Sequence, residues 1–147
     1  MTAIDVKPAR TISRLARNVE LALATVGLSP AQFRLLSHLE ESPSNGRVLA
    51  DKLLVTPPTL TAVVDGLVAR GLVERSNDPN DRRRVGHALT TEGIRALAAA
   101  HVAVNQRLEA ILASATPRNR ARALAGFEVW DDAITLYVAS LTKTASD

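Results

Sequence analysis

The sequence predicts a mainly α-helical chain: six helices interrupted by one two-stranded β-hairpin. Three observations carry this. A hydroxyl residue directly precedes proline at Ser29-Pro30, Thr56-Pro57 and Thr116-Pro117, the pairing that caps a helix start and loses no hydrogen bond. Around those marks apolar residues recur at spacings of three and four. The chain is 46% hydrophobic yet only 3% aromatic, so its core is aliphatic, and its Ala and Leu favour helix over a β-sandwich.

Taken in order, the first helix carries an apolar stripe of Ile12, Leu15, Val19, Leu23 and Val26 and ends at Gly27, a residue suited to a left-handed cap. The second starts at Ser29-Pro30 with Gln32 at the capping-box position and buries Phe33, Leu36 and Leu39. A short third helix, Arg47 to Leu54, has Val48, Leu49, Leu53 and Leu54 as apolar positions. The fourth runs from Pro57 to about Arg70: Leu60, Val63, Val64, Leu67 and Val68 point inward, leaving Thr59, Thr61, Ala62, Asp65, Gly66 and Ala69 outward. After Gly71, residues 72–76 and 85–89 are β-compatible runs around the polar loop 77–84, a hairpin with a charged tip. Two long helices follow Thr91 and Thr116. Their apolar positions are Ile94, Leu97, Ala98, Val104, Leu108, Ile111, Leu112 and Ala115, then Leu124, Phe127, Ile134, Val138 and Leu141.

At 147 residues the chain is expected to form one domain, 1–147. No apolar run reaches membrane-spanning length and no signal peptide is expected, so a cytoplasmic protein without membrane contact is anticipated. With 18 Lys and Arg against 15 Asp and Glu, bulk charge is compatible with nucleic acid but does not argue for it. The absence of Cys removes disulfides and thiol chemistry. Three scattered histidines, His38, His87 and His101, make a poor metal site, and no phosphate loop, HExxH or nucleophile elbow suggests an enzyme. No metal and no cofactor are expected.

Two short helices joined through Val55-Thr56, then a hairpin with a basic tip, make a winged helix-turn-helix. The sequence here resembles the MarR (multiple antibiotic resistance regulator) family of bacterial transcription factors over nearly its whole length. The matching segments are Leu28 to Phe33, Leu49 to Leu53, Leu60 to Leu67, Arg70 to Arg75, Asp78 to Arg83 and Leu89 to Gly93. The resemblance implies an intertwined homodimer. Residues 28–90 would form the DNA-binding region and residues 4–27 and 91–147 the dimerisation helices. It implies a palindromic double-stranded operator, with recognition helices about 34 Å apart, and a repressor released by a small anionic or phenolic effector.

Base reading is expected from Pro57, Pro58, Thr59, Thr61 and Ala62: hydroxyls can bond bases or phosphates, and small apolar groups can meet thymine methyls. For Thr56, Pro57 and Pro58, starting the helix is an equally good explanation of residue type. The sequence departs from the family pattern at Ala62 and Gly66, where Arg or another polar residue is common. Arg82, Arg83 and Arg84 at the wing suit phosphates and narrow minor grooves, with Arg83 as the groove-reaching residue. Asp65, Asp78 and Asp81 are acidic candidates for pairing one wing arginine, and in the family an acidic residue at the position of Asp65 can tie the recognition helix to the wing. Arg47 and Lys52 of the third helix are candidate phosphate contacts. Candidate effector contacts are Arg14, Arg17, Arg34, His38, His101 and Asn105. Two alternatives stay open: a winged-helix protein-interaction module, and an effector-independent DNA-binding protein.

Overall fold

The computed structural model describes residues 6–77, 79–81 and 83–144. Arg82 and Asp78 of the expected wing, and the outermost residues of the expected 4–27 and 91–147 segments, lie outside the described residues. In chain order the elements are α1 (Lys7–Ala24), α2 (Pro30–Glu41), β1 (Ser44–Asn45), α3 (Gly46–Leu53), α4 (Pro57–Ala69), β2 (Val73–Asn77), β3 (Val85–Leu89), α5 (Thr91–Leu112) and α6 (Pro117–Thr144).

The helix starts follow from capping chemistry. The Ser29 side chain accepts from the Gln32 amide while the Gln32 side chain accepts from the Ser29 amide, at 3.1 and 3.0 Å, the reciprocal capping box. Asn45, Thr56 and Thr90 cap α3, α4 and α5 one way only, each side chain accepting from the amide three residues on. Gly27 and Gly71 take positive φ values of 72° and 70°, closing the turns after α1 and α4 in a conformation that a Cβ disfavours.

The sheet has three strands in the order β1-β3-β2, all antiparallel. β2 and β3 form the expected hairpin, with Arg75 opposite His87. The two-stranded wing gains a third member, β1, which pairs Ser44 with His87 and Asn45 with Gly86. Helix α3 also ends earlier than the apolar spacing suggested. Leu54 is its cap, in the left-handed region at φ 53°, ψ 46°, and its side chain is exposed rather than packed. That single residue turns the chain so that α3 and α4 diverge by 110°, within the range of a helix-turn-helix.

One core unites the winged region with α1 and α5. Leu23, Leu35, Leu36, Leu49, Val64, Leu67 and Leu97 are fully enclosed, each Leu contributing about 1.5–3 kcal/mol of burial. Val48, Ile94 and Ala98, expected on apolar faces, are exposed. The two ends of the chain behave differently from the middle. The 28-residue α6 has no buried residue, and Ile12, Ile111, Phe127, Trp130, Ile134, Leu136 and Tyr137 are among the large apolar side chains left open.

Candidate nucleic-acid interface

Helix α4 offers its first turns to solvent. Pro57, Pro58, Thr59, Thr61 and Ala62 are all exposed, whereas Leu60, Val64 and Leu67 anchor the opposite face in the core. Two prolines at the first helical positions remove two backbone donors, and the third amide, Thr59, is taken by the Thr56 hydroxyl at 3.4 Å. This end therefore presents side chains rather than amides. The Thr56 and Thr59 hydroxyls lie 2.9 Å apart, and Thr61 donates to the Pro57 carbonyl at 3.0 Å. Each oxygen keeps acceptor capacity for a base amino group. Gly66, at the other open position, is half-buried beside α2: a Cβ there would meet the Gln32 side-chain Nε2 at 3.7 Å, an ordinary contact, so packing does not require the glycine.

The wing is tied to α4 by Asp65, whose carboxylate pairs with the Arg75 guanidinium on β2. The acidic residue thus holds an arginine of the strand rather than one of the loop. At the tip, Asp81 accepts from the Arg83 backbone amide at 3.0 Å and its other oxygen stands 3.8 Å from Arg84 Nε. Arg83 makes no side-chain ion pair among the described residues and is exposed.

Arg47, Arg83 and Arg84 converge. They line a cleft of about 470 Å³ with Asn45, Gly46, Val85 and His87, at the root of the wing where α3 begins. Three arginines and the start of a helix make this cleft positive, and both features favour an anion. Lys52 lies elsewhere: with His38, Glu41, Asp51 and residues 134–142 of α6 it lines a separate cleft of about 520 Å³.

The six candidate effector contacts do not meet in one place within a protomer. Arg14 lines an apolar cleft of about 420 Å³ with Leu108, Ile111 and Phe127. Arg17 and Arg34 border another of about 660 Å³ between α1 and α2, and Arg17 also pairs with Glu20 at 2.9 Å. His38 faces the α6 cleft, its Nε2 buried without a partner among the described residues; burial and the nearby Lys52 hold its pKa below the ordinary histidine value. His101 Nε2 stands 3.5 Å from Glu40 and meets Phe33 edge-on at 5.4 Å. Asn105 is an exposed position on α5.

Two positioning residues escaped sequence reasoning as such. Arg75 had only its place in a strand to mark it. Arg70, at the end of α4, donates to the Gly27 carbonyl at 2.7 Å and to Gln32 at 3.4 Å, fixing α4 to the α1–α2 turn. Its partners lie 43 and 38 residues away in sequence, which no local pattern signals.

Comparison with known proteins agrees with this geometry. The MarR family model matches residues 26–84. The chain is 36% identical over 70 residues to the HTH-type transcriptional repressor YetL of Bacillus subtilis (strain 168), a match over 46% of this chain and 42% of that protein. Alignments to the curated relatives span 42% to 60% of their lengths. The fold superposes on the apo form of wild-type MarR from E. coli with a TM-score of 0.76 at 25% identity, covering 87% of this chain and 97% of that one. It also superposes on the transcriptional repressor CouR bound to a 23-mer DNA duplex, with a TM-score of 0.72 at 28% identity, covering 89% and 99%. Six helices, a small antiparallel sheet and the matched winged segment together make the chain similar in fold to the MarR-family regulators.

Proposed function

We propose that this chain is a homodimeric transcriptional repressor that reads a palindromic operator through α4 and the wing. The carrying observation is the exposed first turn of α4, held by Asp65–Arg75 beside a wing whose Arg83 and Arg84 share a cleft with Arg47. Thr59, Thr61 and Ala62 then meet base edges, the arginines take phosphates or the minor groove, and Pro57 and Pro58 set the approach of the helix. CouR, similar over most of its length, is a repressor seen on a DNA duplex, which supports this reading.

Residues 28–90 serve as the DNA-binding region, and the segments at the two ends of the chain serve dimerisation. A 28-residue helix with no fully buried residue in its own protomer, together with open Ile12 and Ile111, is the surface that a two-fold partner covers. A small anionic or phenolic effector acts at the arginine-bordered clefts of α1, where Arg14 and Arg17 lie. Binding there shifts the spacing of the two recognition helices. Among the described residues no single helix is long and apolar enough to cross a membrane, as suits action on DNA in the cytoplasm.

The test is fluorescence anisotropy with duplex DNA from the region upstream of the coding sequence, across a salt series. Binding that weakens steeply with salt supports the reading. Failure to bind that DNA at any salt overturns it in favour of a protein-interaction module.

A further inference from the structure

His87 is the one buried ionisable residue of the described core, 6% exposed, and it lines the wing-root cleft with Arg47, Arg83 and Arg84. Its Nδ1 lies 3.2 Å from the Ser44 carbonyl. A carbonyl only accepts, so Nδ1 carries the proton and the neutral ring leaves Nε2 as a bare acceptor. An imidazole that lines a cleft together with three arginines suits an incoming phosphate oxygen once the ring takes a second proton.

Resting on the DNA-binding reading above, we propose that an operator phosphate seats in this cleft and accepts a hydrogen bond from His87 Nε2, so that binding DNA takes up one proton on the imidazole. No covalent bond forms or breaks; the proton comes from solvent.

Charges around the ring give the direction. Arg75 stands directly opposite on β2, and Arg47, Arg83 and Arg84 ring the cleft, the last with Asp81 beside it. Of the ionisable groups on α2, Glu40 pairs with His101, and His38 and Glu41 line the α6 cleft; Arg34 borders α1. On α5, Glu92 and Arg95 pair with each other. Burial and Arg75 hold the free imidazole below the ordinary histidine value, against the Ser44 carbonyl, which raises it. A phosphate reverses the local charge and favours the protonated ring. By linkage, the operator then binds more tightly as pH falls.

The experiment measures anisotropy with the upstream duplex at fixed salt from pH 8 to 5.5, for wild type and His87→Gln, alongside NMR titration of the wild-type imidazoles. The NMR series is run free, with duplex, and with inorganic phosphate in place of duplex. A single proton limits the gain to about tenfold in affinity per pH unit. Expected are a gain approaching that limit in wild type, a flatter profile in His87→Gln, and a His87 pKa that rises with duplex. Parallel pH profiles in the two proteins, or an unmoved His87 pKa in the wild-type complex, overturn the proposal; the second arm decides even where His87→Gln does not fold. A full shift with inorganic phosphate and none further with duplex reassigns the cleft to free anions and also overturns it. A duplex that never binds refutes the DNA reading itself, a result distinct from binding without proton uptake.

Discussion

The same methyl group added at Gly93 and at Gly66 should move stability in opposite directions. A Cβ at Gly93 would lie 2.0 Å from the Leu72 carbonyl oxygen, whereas carbon and carbonyl oxygen approach only to about 3.3 Å. The start of α5 would have to retreat by more than an ångström. It is pinned there: the Leu72 carbonyl accepts from the Thr90 amide at 3.2 Å, the Thr90 hydroxyl donates to Gly71 at 2.6 Å, and Leu72 and Val73 are buried. Overpacking of this kind costs about 1–3 kcal/mol, the rigid surroundings putting Gly93→Ala at the upper end. At Gly66 the new Cβ would find Gln32 at 3.7 Å, ordinary contact, so Gly66→Ala keeps the helix-propensity gain of about 1 kcal/mol. With roughly 2–4 °C per kcal/mol for a chain near this size, Gly93→Ala should lower Tm by roughly 5–10 °C and Gly66→Ala should raise it by roughly 2–4 °C. Thermal melts by circular dichroism at one protein concentration measure both. A Gly93→Ala protein as stable as wild type would refute the argument.

Other outcomes follow from the interface. Arg83→Ala should cost about 1–3 kcal/mol of operator affinity and reduce the slope of log affinity against log salt by about 1, with an unchanged melt; an unaltered slope would remove Arg83 from the phosphate or groove contacts. Asp65→Ala breaks an exposed pair, so stability should fall by less than about 1 kcal/mol, while operator affinity falls by more because the wing loses its tether to α4. Equal losses in both assays would reduce the pair to a surface ornament. For pH, unfolded histidine takes up its proton near 6.5, whereas folded His38 and His87 do so only lower. The unfolded chain therefore binds more protons between those values, and stability should drop as pH falls below about 6.5. Urea midpoints that are flat from pH 7.5 to 5.5 would contradict this.

Three helix starts were legible in the sequence because capping is local: Ser29 with Gln32, Thr56 and Thr116 each satisfy amides within three residues. Strand β1 was not. Two residues have no period, and Ser44 is held by a partner 43 positions away. Leu54 misled for a related reason: its apolar side chain fits the helical spacing, but the turn needs a residue at that point in the left-handed region, and spacing does not report φ. In the candidate site, outward positions on α4 followed from periodicity, since each lies opposite a buried Leu or Val. Which acidic residue holds which arginine did not, because the Asp65–Arg75 pair depends on how the hairpin folds back over α4. The scatter of Arg14, Arg17, Arg34, His38, His101 and Asn105 has the same origin: residues chosen for their chemistry on separate helices share a cleft only where packing brings those helices together.

Helix α6, about 42 Å long by its rise per residue and without a buried side chain, bears on genetics as well as on assembly. If its open face is where copies pair, any chain that keeps α6 will enlist a normal chain, whatever the state of its wing. A copy with Arg83 and Arg84 replaced would then form mixed dimers with one working half, and an operator that needs two would lose occupancy faster than gene dose alone dictates. Lesions in the wing should behave as dominant, and lesions in α6 as recessive.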